Sequence, residues 1–153
     1  MAKVDLYDYP GRLRRSIEKL KEDNLVNDEN KEDIDSFSKI RLAKGSSHGR
    51  VAKVVYCLHY LSKWLKKSFR NATKEDLIQL VGGLESSHYS EYTKYDYKIV
   101  LKMYYKWLLG NDEEFPKIIK WFIPKLKNEK SKLPEELLTE DEVLKMAQKA
   151  ETP

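Results

Sequence analysis

Residues 44–74 read KGSSHGRVAKVVYCLHYLSKWLKKSFRNATK, and the periodicity of this stretch decides the fold class. Val51, Val54, Val55, Leu58, Leu61 and Leu65 recur at three- and four-residue spacing. At about 100° per residue they share one arc of an amphipathic helix. Ser47 stands where an N-cap hydroxyl would accept an orphan amide of the first turn, and Gly45 and Gly49 loosen the entry. Cys57 edges the apolar arc and is expected to be a small buried hydrophobe. Lys53, Tyr56, His59, Tyr60, Lys63 and Lys67 fall on the opposite arc. No acid occurs between Asp35 and Glu75, whereas Lys39, Arg41, Lys44, Arg50, Lys53, Lys63, Lys66, Lys67, Arg70 and Lys74 all do. A face built for solubility mixes both signs, so this one is expected to meet something anionic.

Upstream, a first helix is expected from about Pro10 to Asp23 with Leu13, Ile17 and Leu20 inward. A second runs from about Asn27 to Ala43 around Ile34, Phe37 and Ile40, acidic at its start and basic at its end as the helix dipole favours. Downstream, Ser68–Ala72 is a short connection. Thr73 and Asp76 then open a fourth helix with Leu77, Ile78, Leu80, Val81 and Leu84 inward, which Gly82 and Gly83 end early or leave open to another backbone. Ser90 caps a fifth helix from about Glu91 to Leu109. It carries a lysine stripe, Lys94, Lys98, Lys102 and Lys106, opposite Ile99, Val100, Met103, Tyr104, Trp107 and Leu108. The third and fifth helices echo each other at an offset of 43 residues, Ser47, Leu58, Lys63, Trp64 and Leu65 aligning with Ser90, Leu101, Lys106, Trp107 and Leu108. Phe115–Phe122 reads as a short helix and Lys125–Leu133 as an extended linker. Thr139 and Glu142 form a capping box before Val143, Leu144 and Met146. The expected organisation is a helical domain over residues 1–123, a linker over 124–138, and over 139–153 the start of a further domain.

With 153 residues, 41% of them hydrophobic, the chain can bury a real core. Its net charge of +4 says little, but the distribution says more. Glu22–Asp35 holds seven acids against Lys31 alone, so polyanion binding is expected on one side only. One cysteine makes no internal disulfide, no apolar run approaches a membrane span or a signal peptide, and a cytosolic location is expected. His48, His59 and His88 lack metal-ligand spacing, so neither a metal nor a cofactor is assigned.

Nucleophilic, acid–base and phosphate-loop signatures are absent from the sequence. Tyr95 and Tyr97 lie beside Lys94 and Lys98, yet packing or phosphate hydrogen bonding explains them more simply than an activated phenol. Nucleic-acid binding fits better. Lysines and arginines neutralise phosphates, while serine and tyrosine hydroxyls and helix-terminal amides fix register on the backbone. The candidate contacts are Lys44 and the entry Ser46-Ser47-His48 with Arg50 and Lys53, and the start of the fifth helix with its stripe through Lys102. The alternative is a helical protein-interaction module with Trp64, Trp107 and Trp121 marking a partner groove. RNA binding would need exposed rings, and the tryptophans fall mostly on the expected core sides.

The segments GSSHGRVAKVVYCLHYLSKWL and SEYTKYDYKIVLKMYYKWLLG, and above all KLPEELLTEDEVLKMAQKA, give the chain a likeness to a known family. It resembles the amino-terminal core-binding domain of tyrosine recombinases, the phage-integrase and XerC/XerD-like group. Leu133-Pro134 followed by Leu138–Val143 is the most specific part. The resemblance implies a SAM-like bundle of four to five helices forming half of a clamp around double-stranded DNA. It implies other recombinase protomers as partners, and strand cleavage and joining by a tyrosine in a catalytic domain beyond this chain. No catalytic residue is carried over. By the family's pattern Ser46, Ser47, His48, Arg50 and Lys53, and Thr93, Lys94, Tyr97 and Lys98, would face grooves and phosphates. Arg50 stands where the family often has threonine.

Overall fold

A computed structural model describes residues 8–126; the expected final helix, and the linker beyond Leu126, lie outside the described residues. The described chain is an all-α bundle: α1 (Tyr9–Glu22), α2 (Asp28–Ala43), α3 (His48–Leu65), α4 (Lys74–Glu85), α5 (Glu91–Leu108) and α6 (Lys117–Lys120), with one 3-10 turn at Phe69–Asn71. No strand occurs among the described residues, and no described helix is long and apolar enough to cross a membrane.

Local chemistry sets each boundary. The Asp8 carboxylate accepts the Gly11 N–H at 3.2 Å to open α1, and Asn27 accepts Asn30 N–H at 2.8 Å to open α2. α2 ends through Gly45 at φ 99, whose N–H reaches the Leu42 carbonyl at 3.0 Å while Ser46 N–H reaches Arg41 at 3.0 Å. This paired closure needs the left-handed conformation that glycine adopts without steric penalty. Ser47 caps α3 by accepting Arg50 N–H at 3.2 Å. Thr73 and Asp76 form the expected capping box of α4.

α3 sits at the centre and touches α1, α2, α4 and α5. Its expected inward arc, Val51, Val54, Val55, Leu58, Leu61 and Leu65, is buried throughout, and so is Cys57, whose thiol is pushed up to about 12 by burial. α1 runs parallel to α3, with Tyr9 against Gly49 at one end and Asp23 against His59 at the other. A Cβ on Gly49 would lie 2.8 Å from the Tyr9 ring, so glycine there lets the two helices close. α2 runs back along α3. Its buried Asn30 donates to the Lys67 carbonyl at 3.0 Å and accepts Phe69 N–H at 3.0 Å, fixing the turn that leaves α3. Phe37, Phe69 and Tyr104 meet edge to face around the base of α5, at centroid distances of 5.2 and 5.1 Å.

Several boundaries and faces differ from the expectation. α4 continues through Gly82 and Gly83 to Glu85, because both glycines lie on its outer surface and the four-residue hydrogen bonding runs on past them. Ile78, Ile40 and Ile99, expected inward, are exposed. Of Phe115–Phe122 only Lys117–Lys120 is helical, Pro116 serving as its cap.

Candidate nucleic-acid interface

The two serine-capped helix starts lie beside each other. Ser90 accepts Thr93 N–H at 3.2 Å, and Lys53 of α3 pairs with Asp96 of α5 at 2.5 Å, both in the second turn. Ser47, His48 and Arg50 are exposed at the start of α3, with Ser46 half-buried. No ion pair involves His48 or Arg50 among the described residues. Lys44 is exposed and held by Asp112. Thr93 is half-buried and hydrogen-bonded to the Ser90 hydroxyl at 3.1 Å.

The lysine stripe of α5 is not an outward row. Lys94, Lys98 and Lys102 are buried, as is Tyr97. Lys94 donates to the Glu85 carbonyl at 2.8 Å and meets Glu91 at 3.4 Å, and Lys98 pairs with the Glu85 carboxylate. Lys102 donates to the Phe122 carbonyl at 2.5 Å, with the rings of Phe115 and Phe122 centred 4.7 and 5.2 Å away. Burial holds its amine below the ordinary lysine range. The end of α4 and the segment 115–122 fold over this side of α5, and the lysine stems pack there as hydrocarbon. A signal was present in the sequence, for Tyr97, Leu101 and Tyr105 each follow a stripe lysine by three positions and share its face.

The basic stretch around α3 is also largely neutralised from within. Asp23 receives His59 Nε2 at 2.7 Å and Lys63 at 3.3 Å. Arg70 grips Asp33 through Nε at 2.7 Å and Nη2 at 3.0 Å. Lys67 meets Asp76 at 2.9 Å and Lys39 meets Asp35 at 3.3 Å. Much of the acidic segment therefore does not form a separate negative side; it folds onto the basic one. Arg41, Arg50, Lys66 and Lys74 keep no carboxylate partner among the described residues.

The outer arc of α3, where Tyr56 and Tyr60 were expected, carries a row of rings that extends further than expected, to Trp64 and Tyr89. Tyr56, Tyr60 and Trp64 follow at four-residue intervals, with centroids 4.9 and 6.1 Å apart. Trp64 continues to Tyr89 at 6.1 Å and to the buried Tyr97 at 5.4 Å. Trp64, which the expected inward arc did not include, is 37% exposed, and Tyr56 and Tyr89 are 54% and 40% exposed. The four-residue step from Tyr60 marked Trp64 as part of the tyrosine row rather than the leucine arc. Beside this row a cavity of about 760 Å³ opens between the end of α3, α4 and the loop before α5, walled by Trp64, Leu65, Leu80, Gly83, Leu84 and Tyr89, with Asp76, Gln79, Ser87 and His88 supplying polar groups. Burial raises the phenols of Tyr56 and Tyr97, which disfavours either as a nucleophile. The three tryptophans stand in separate ring clusters, Trp107 with Phe37 and Tyr104, and Trp121 with Phe122.

No group of histidine, cysteine, aspartate and glutamate side chains among the described residues could hold a metal ion. No family model, curated protein or solved structure matches the chain.

Proposed function

We propose that this chain is a duplex-DNA-binding module, and that it serves as the amino-terminal core-binding domain of a tyrosine-type site-specific recombinase. The observation that carries the reading is the pairing of two serine-capped helix starts through Lys53 and Asp96, with Arg50 and His48 exposed beside them. Exposed amides, hydroxyls and a cation at adjacent helix termini suit phosphate oxygens. Arg50 offers a planar fork that can take two oxygens at once. The α5 lysines have no part in this contact; they brace the helix that carries Thr93. Clamping is mostly tolerant of sequence, and strand cleavage and joining belong to a catalytic domain of the full-length recombinase. The SAM-like fold and the recombinase family are supported by the likeness of residues 45–65, 90–110 and 132–150 to that family.

Anisotropy of a short labelled duplex tests the binding. With about four phosphates engaged, affinity should fall about 10²-fold between about 50 and about 200 mM salt. Arg50→Glu should weaken binding about tenfold and flatten the salt dependence, whereas Lys31→Glu in the acidic segment should change neither. Salt-independent affinity, or equal damage from both variants, would overturn the proposal. This chain by itself should leave supercoiled plasmid intact.

A further inference from the structure

We infer that the cavity between α3 and α4 is a pocket for a single unpaired nucleobase, entered from the ring row on α3. The inference rests on the DNA-binding reading and extends it from paired to unstacked DNA. The cavity, about 760 Å³, lies in the range of small-ligand sites and exceeds what one base needs. Two of its walls are the part-exposed rings of Trp64 and Tyr89, flat surfaces on which any base can stack. Gln79 and His88 bring donors and acceptors to the same space, as a base edge requires.

Gly83 keeps the third wall open. It lies in α4, and a Cβ built there would meet no atom within 4 Å. The surroundings suit a polyanion rather than an apolar peptide. Lys66 is exposed without a carboxylate partner among the described residues, while Lys63 lies over the Tyr60 ring at 5.3 Å with its ammonium held by Asp23 at 3.3 Å. Asp76, the acid in the lining, is already held by Lys67 and by the Thr73 amide at 2.8 Å. A phosphodiester held at Lys66 beside the ring row would bring its base to the mouth between Trp64 and Tyr89.

The test compares a fully paired duplex with the same duplex carrying one bulged thymidine, each titrated against the 153-residue chain. The bulged duplex should bind about tenfold tighter, the scale of one base stacked on an aromatic side chain. Trp64→Ala and Gly83→Leu should each erase that preference while leaving the paired duplex within about twofold of the original affinity. Gly83→Leu fills open space on a formed helix, and a thermal melt verifies that it folds. Equal binding of the two duplexes, or a preference that survives Gly83→Leu, would overturn the pocket while leaving the duplex contact standing. Tight binding of the bulged duplex with none of the paired one would support the pocket and sink the duplex clamp.

Discussion

At the scale of single residues, two neighbouring tyrosines separate burial from satisfaction. Tyr104 and Tyr105 are both fully buried. The Tyr105 hydroxyl donates to the Phe69 carbonyl at 2.7 Å, whereas the Tyr104 hydroxyl has no hydrogen-bond partner among the described residues. A buried polar group without a partner costs free energy, and removing the Tyr105 hydroxyl would leave the Phe69 carbonyl with only the longer bond from the Ala72 N–H at 3.4 Å. Tyr105→Phe should therefore lower stability by about 1–2 kcal/mol, while Tyr104→Phe should leave it unchanged or raise it by about 1 kcal/mol. Urea titration of the two variants distinguishes them, and matched losses would contradict the account. Neither difference was legible in the sequence. The pair YY reads as core by periodicity, and which hydroxyl finds a carbonyl depends on the turn at Phe69–Asn71, far away along the chain.

Single helices explain what the sequence disclosed and what it hid. The inward arc of α3 was legible because six apolar residues keep an unbroken helical period, and the caps of α3, α4 and α5 were legible because Ser47, Thr73 and Ser90 act within three residues. The side of α5 was misjudged because a lysine was weighed by its charged head, when its stem can line a core if the head finds Glu85, Glu91 or a carbonyl. The end of α4 was misjudged at Gly82-Gly83, since glycine weakens a helix without ending it when the flanking turns are anchored by Leu80, Val81 and Leu84. Gly82 is exposed within the helix, and a Cβ there would meet nothing within 4 Å. Gly82→Ala should thus raise stability by about 0.5–1 kcal/mol. At Gly110 a Cβ would fall 2.1 Å from the Glu114 carbonyl oxygen, so Gly110→Ala should lower the melting temperature instead.

For the molecule as a whole, the charge map of the sequence and that of the fold differ. Segregated along the chain, the acids of residues 22–35 and the cations of residues 39–74 are interleaved in space, and most of the linking pairs join different elements. That arrangement should make the bundle lose stability in acid. Hydrogen bonding from His59, then from the Leu25 amide, with Lys63 adding its charge, lowers the Asp23 carboxyl to about 2. Asp76 is lowered to about 2 by the Thr73 amide and Lys67. A carboxyl depressed on folding contributes stability in full above its unfolded pKa near 4, and that contribution is lost as pH falls through the folded value. Stability should therefore drop between about pH 4 and about pH 2, and Asp23→Asn should shallow the drop while leaving its remainder to Asp76. Chemical denaturation at a series of pH values reads this directly, and an unchanged slope in the variant would refute it.

The two-pronged contact between Arg70 and Asp33 bears on the ancestry of the chain. Neither partner can change sign alone without leaving like charges opposed across the junction of α2 and the turn after α3. Among descendants of a common ancestor, positions 33 and 70 should then drift as a couple, an exchange at one accompanied by the reciprocal exchange at the other.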